Sequence, residues 1–177
     1  MSFAGGGLFE PVAGEWSSMN SNEHNSVANR LFFRLFQTGN TLQRQVQNEM
    51  GISTVQWAVL GALSREGYEQ GISFNMLTEY LVVSRQSLDG VLKRMERDQH
   101  VLRVPHPDDG RARLVVMTAQ GRTYWEQLQQ RIYDFYAQGL KSFGFDDVVS
   151  ILHYLNKLQI NLAEVDLQAG AADSDPS

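Results

Sequence analysis

Cysteine is absent from all 177 residues, which excludes a disulfide framework and thiol-based redox sensing and fits a reducing compartment. The four histidines, His24, His100, His106 and His153, are scattered, and none stands four residues from another to grip a metal from one helix face. There is no Gly-rich phosphate loop, and the Ser, His and Asp residues do not fall at the spacing of a nucleophile and its base. The expectation is therefore no enzyme, no metal and no cofactor. No apolar run is long enough to span a membrane, and nothing reads as a secretory signal, so a cytoplasmic location is expected. No internal repeat occurs. Basic excess is also lacking, since the net charge is −5.

That charge is unevenly placed. Residues 84–113 carry seven Lys or Arg against five Asp or Glu, a balance of +2 that leaves −7 elsewhere. Within this stretch Ser84 is a good helix N-cap, and Leu88, Val91, Leu92 and Met95 follow at the i, i+3, i+4, i+7 spacing of one buried stripe. The opposite face holds Gln86, Gly90, Lys93 and Arg97, flanked by Arg85, Ser87 and Arg94. Gln, Lys and Arg can reach base edges in a major groove, while Ser and Arg near a helix start suit phosphate oxygens. An ordinary solvated helix face would use the same residue types.

The flanking segments bear on that choice. Ser73 caps a short helix with Phe74, Leu77 and Leu81 on one face, and only Val82 and Val83 part it from Ser84, as in a helix-turn-helix. Downstream, 101–104 and 112–117 are apolar, β-branched runs around a Pro-rich turn containing Asp109-Gly110, a hairpin signal. Arg111 and Arg113 lie at its tip and just beyond, where a guanidinium can enter a narrow minor groove.

Asp109-x-Arg111, five residues, Thr118 and then Gly121 resembles the wing signature of the MarR (multiple antibiotic resistance) regulator family, with Met117 where Leu is commoner. Ser84-Arg85-Gln86-Ser87 resembles the start of that family's recognition helix, and Val101 to Asp108 its approach to the wing. The resemblance extends more weakly over about residues 25–166. It implies a mainly α fold with a small β-hairpin wing, a winged helix-turn-helix whose N- and C-terminal helices form a dimerisation region. It also implies a homodimeric, cytoplasmic transcription factor, commonly a repressor released by a small aromatic or phenolic ligand. Contacts to double-stranded DNA are expected from Ser84, Arg85, Gln86, Ser87, Lys93, Arg94, Arg111 and Arg113.

The expected organisation is an N-terminal arm over 1–23, partly disordered, a first helix over 24–52, the winged lobe over 53–117, C-terminal helices over 118–166 and a disordered tail over 167–177. Ser53-x-x-Gln56 reads as a capping box, and Thr118 as the cap of a helix running to about Leu140, where Gly144-Phe145-Asp146 breaks the pattern. The first helix and the two C-terminal helices carry more apolar surface than a small winged domain can cover, which points to burial against a second copy. A dimer would set two reading helices about 34 Å apart on a pseudo-palindromic operator. In the resembling family a ligand pocket lies where the first, second and fifth helices meet the winged lobe. Here Phe36, Trp57 and Tyr124, with Phe32 and Phe135, offer apolar walls, and Arg30 and Arg34 could pair with the carboxylate of an aromatic acid. The same aromatics would serve equally as core, and the same arginines as ion-pair partners. Two competing readings remain: a winged helix used for protein interaction, and a DNA-binding regulator without an effector.

Overall fold

The computed structural model describes residues 21–107, 109 and 112–167. Two compact units divide between Glu126 and Gln127. Among the described residues of the first unit, α1 (Ser21–Met50) leads to α2 (Thr54–Leu63), β1 (Ile72–Ser73), α3 (Phe74–Leu81), α4 (Arg85–Arg97), β2 (Val101–Pro105) and β3 (Arg113–Met117), and α5 (Ala119–Gly139) begins there. The second unit holds the rest of α5 and α6 (Phe145–Ala163).

Local chemistry explains where the helices start. Ser53 and Gln56 form the expected capping box, the Ser53 hydroxyl accepting from the Gln56 N–H at 3.2 Å and the Gln56 side chain from the Ser53 N–H at 2.9 Å. The Ser73 and Ser84 hydroxyls accept from the N–H groups of Met76 and Ser87 at 3.2 and 3.1 Å, and so open α3 and α4. Each cap satisfies a backbone donor that the first helical turn would leave unpaired.

The predicted stripe of α4 is the centre of the core. Leu88, Leu92 and Met95 are wholly buried, together with Leu60 of α2, Leu77 of α3, Val101 of β2 and Val115 of β3. Three helices thus close over one face of a small antiparallel sheet of order β1-β3-β2, in which Val101 pairs with Met117 and Arg103 with Val115. From α1 only Val46, Met50 and, near its start, His24 are buried; Val27, Leu31, Leu35 and Leu42 of the predicted apolar face stand exposed in the single chain.

Several expectations need correction. Strand β1 was not foreseen, because two residues are too few to show a period. It exists because Gly71, at φ +99°, lets the chain pass so close to β3 that a Cβ there would lie 2.7 Å from the Val115 carbonyl oxygen. The hairpin takes in Pro105 and begins its return at Arg113, one residue after the predicted Ala112. The first helix starts at Ser21, inside the span assigned to the arm, and the expected break between the two C-terminal helices falls over 140–144 and not over 144–146, Gly144 capping α6 with its N–H given to the Asp147 carboxylate at 2.8 Å. Residues 1–20 of the arm and 168–177 of the tail lie outside the described residues. No helix among the described residues is long and apolar enough to cross a membrane.

The turn between α3 and α4 carries a local cost. Val82 adopts φ 51°, ψ 46°, a left-handed conformation that crowds a β-branched side chain, and 69 % of it is exposed, so packing does not repay the strain. Val82→Gly is expected to stabilise the protein by about 0.5–1 kcal/mol, the relief of left-handed strain exceeding glycine's greater freedom when unfolded. Urea unfolding checks this; an unchanged or lower midpoint would show that the turn is not strained.

Candidate nucleic-acid interface

One cleft of about 720 Å³ runs between the start of α4 and the wing, and it brings together residues from four segments: Phe74 and Asn75 of α3, Arg85, Gln86 and Asp89 of α4, Arg103 and His106, and Asp109 with Arg113. The caps of α3 and α4 aim both helix starts at this cleft, so backbone N–H groups add to its positive lining. Of the expected DNA contacts, Arg85, Gln86 and Arg113 therefore share one surface.

Arg85 is the most constrained of them. Its guanidinium donates to the Asn75 side chain at 2.6 Å and lies over the Phe74 ring, 5.0 Å from the centroid. It is preset as a cation at the lip of the cleft, with remaining donors for a phosphate. Gln86, one residue further on, is exposed with no such tether. Ser84 uses its hydroxyl as the cap of α4, and the Ser87 N–H serves that cap while its side chain stays exposed. Arg94 is exposed toward the end of α4. Arg111 lies outside the described residues. Lys93, expected to contact DNA, is paired: its ammonium is 2.8 Å from the Asp89 carboxylate one turn earlier.

Asp89 belongs to a cluster that sequence reasoning missed. Arg103 of β2 donates to both Glu96 carboxylate oxygens, at 3.0 and 2.8 Å, and to Asp89 at 2.6 Å, with only 22 % of its side chain exposed. Hydrogen bonds from Lys93 and then Arg103 hold the Asp89 carboxyl below its usual range. The bond to Glu96, opposed by burial and aided by Asp89, raises the Arg103 guanidinium above its usual value. The signal was present: Arg103 alternates in phase with buried Val101, and an inward cation needs a partner, which two acids seven residues apart on one face of α4 provide.

The wing is closed at its base as well. Thr118, just after β3, donates its N–H to the carbonyl of His100, just before β2, at 3.1 Å, and its hydroxyl to the Gln99 carbonyl at 2.6 Å. The Gly121 N–H donates back to that hydroxyl at 2.8 Å. Near the tip, the His106 N–H reaches the Ala112 carbonyl at 3.1 Å and the Ala112 N–H the Asp109 carbonyl at 3.0 Å.

The residues expected to hold a ligand are not gathered in this cleft. Arg30 and Arg34 are exposed on α1, Arg34 donating to Gln37 at 3.3 Å, and Phe36 is 65 % exposed beside them. Trp57 is half-buried on α2. Tyr124 is half-buried with one ring face covered by His100, the rings parallel within 7° and 4.1 Å apart.

Two short capped helices joined by a tight turn, with a hairpin beside the second, define a winged helix-turn-helix, and a cationic lip on that second helix marks its reading class. A family model described as MarR family matches residues 50–112. The transcriptional activatory protein BadR of Rhodopseudomonas palustris is 50% identical over 145 residues, which are 79% of this chain and 82% of that protein. The chain belongs to the MarR family and is a transcriptional regulator of that type. The homoprotocatechuate degradative operon repressor of Escherichia coli is 26% identical over 114 residues, 64% of this chain and 75% of that one. Among solved structures, reduced AbfR bound to DNA shares the fold with a TM-score of 0.66 at 22% identity, over 82% of this chain and 100% of the other.

Proposed function

We propose that this chain acts as a homodimer on double-stranded DNA, laying α4 in the major groove of a pseudo-palindromic operator with the wing along the neighbouring backbone. The observation that carries the reading is the cleft that unites Arg85 and Gln86 with Arg113 of the wing. Ser84, Ser87, Lys93 and Arg94 lie along the same helix, and Arg111 remains the candidate for the wing tip. A second copy accounts for the uncovered apolar surface: Phe32, Phe33 and Phe36 of α1 stand exposed, and α6 has no buried residue although Leu152, Leu155 and Ile160 line it. A regulator that reads the chromosome in this way works in the cytoplasm.

For the effector we infer a small aromatic acid, since one relative is by name a repressor of an operon that degrades homoprotocatechuate, itself an aromatic acid. Arg30 and Arg34 with Phe36, Trp57 and Tyr124 are its proposed contacts. On the sign of regulation the relatives divide: repression, as expected from the sequence, is the action of that 26% identical relative, whereas the 50% identical one is an activatory protein. We therefore favour activation here.

Fluorescence titration of the chain against the DNA upstream of its own gene, at several salt concentrations and with hydroxybenzoates added, tests this. Two protomers per duplex are expected, with affinity falling steeply with salt as cations leave phosphates. Gln86→Ala should weaken operator binding by about 1–3 kcal/mol and relax preference at one base position, while Arg85→Ala should weaken all duplexes alike. A flat salt dependence, or no preference for the upstream DNA, would overturn the proposal.

A further inference from the structure

The cleft that gathers the cations also holds a carboxylate on the reading helix. Asp89 lies three residues after Gln86, on the same side of α4, and both line the cleft. An acid there opposes phosphate binding, so its presence needs a reason. Anchoring Arg103 is not sufficient, because Glu96 already takes that guanidinium with both oxygens at 3.0 and 2.8 Å. Pairing Lys93 is not sufficient either, since that ammonium is 69 % exposed and a surface pair of this kind contributes little.

The geometry instead fixes the carboxylate. Oδ1 accepts from Arg103 at 2.6 Å and Oδ2 from Lys93 at 2.8 Å, so each oxygen retains a lone pair. Arg103 is clamped from behind by Glu96, so Asp89 is held from the sheet side while Lys93 can swing to a phosphate. We propose that Asp89 is a specificity-determining residue, whose carboxylate accepts from a base that presents an amino group in the major groove, cytosine above all, and repels phosphates and the acceptor edges of guanine and thymine. In the free protein Asp89 masks Lys93; on the matching sequence the cytosine amino group replaces the ammonium, which moves to the backbone. Where guanine or thymine stands at that position the carboxylate faces an acceptor, and binding in that register is disfavoured.

This inference rests on the DNA-reading function proposed above. Its test is the affinity of Asp89→Asn for the upstream duplex and for an unrelated duplex of equal length, across salt, with thermal unfolding alongside. Asparagine keeps an oxygen for Arg103, and Asp89→Ser provides a second variant if the first folds poorly. Asp98→Asn is the charge control: it removes the same charge from a residue paired with Arg97 at 3.0 Å, away from the cleft. Asp89→Asn should tighten unrelated binding and lower the ratio of the two affinities about tenfold, the value of one good base contact. Its salt slope on unrelated DNA should steepen by about one phosphate as Lys93 is released. Asp98→Asn should leave the ratio unchanged. A ratio preserved in both Asp89 variants overturns the inference while leaving the regulator reading intact, and an equal fall in Asp98→Asn overturns it by reducing the effect to net charge. A wild-type protein without preference between the duplexes overturns both.

Discussion

Gly121→Ala should destabilise the protein by about 2–3 kcal/mol, although alanine is the better helix former by about 1 kcal/mol. The added Cβ would fall on the His100 carbonyl, 2.9 Å from its carbon and well inside contact of its oxygen, and 3.0 Å from Met117 Cγ. A flexible side chain could swing aside; this backbone carbonyl cannot do so cheaply. It accepts from the Thr118 N–H at 3.1 Å and from the Thr118 hydroxyl at 3.3 Å, bonds that tie the two ends of the hairpin together. Relief of the clash would therefore open the base of the wing or lift the first turn of α5. We expect a fall of several degrees in Tm and weaker DNA binding, with helix content largely retained. Calorimetry and the DNA titration measure both. A variant as stable as the wild type would show that this joint yields, and that it does not set the position of the wing.

Arg103→Ala is expected to cost about 2 kcal/mol, the lower part of the range for charge-assisted hydrogen bonds because the two carboxylates keep partial access to water. Three such bonds disappear at once, and with them the tie between β2 and α4. Operator affinity should drop by tenfold or more, since Asp89 and the wing lose their common anchor. Arg103→Lys should recover only part of this, because an ammonium cannot span both Glu96 oxygens as the planar fork does. The pH dependence has a definite sign. A carboxyl depressed in the folded protein, as Asp89 is, stabilises above its unfolded value and loses that contribution as pH falls through its folded value. The gap in stability between wild type and Arg103→Ala should be full at pH 7 and shrink below about pH 4. A gap independent of pH would exclude Asp89 from the network's energetics.

The two predictions differ in how far they could be anticipated. Thr118 and Gly121 stood out in the sequence as a spaced pair after the wing, but the reason for the spacing is a close approach of helix to carbonyl, visible only when the hairpin is folded back. Arg103 lay in plain view inside the approach to the wing, and its phase with Val101 marked it as inward-facing, but which acids it meets was set only by the docking of α4 on the sheet. Lys93 shows the converse. Helical periodicity placed it on the exposed face, where it is, but the acid one turn earlier that masks it was read only as part of a charge balance.

The sequence by itself determined the caps at Ser53, Ser73 and Ser84, the buried stripe of α4, the hairpin and the family, because caps, periodicity, turn residues and spaced motifs are each written in one continuous stretch of chain. Tertiary structure alone decided that β1 adds a third strand, that Asp89 and Glu96 converge on Arg103, and that Arg85 is tethered to Asn75 beside the wing. These depend on residues distant in sequence meeting at hydrogen-bond distance, and such meetings are set by how the helices close over the sheet, not by any local pattern.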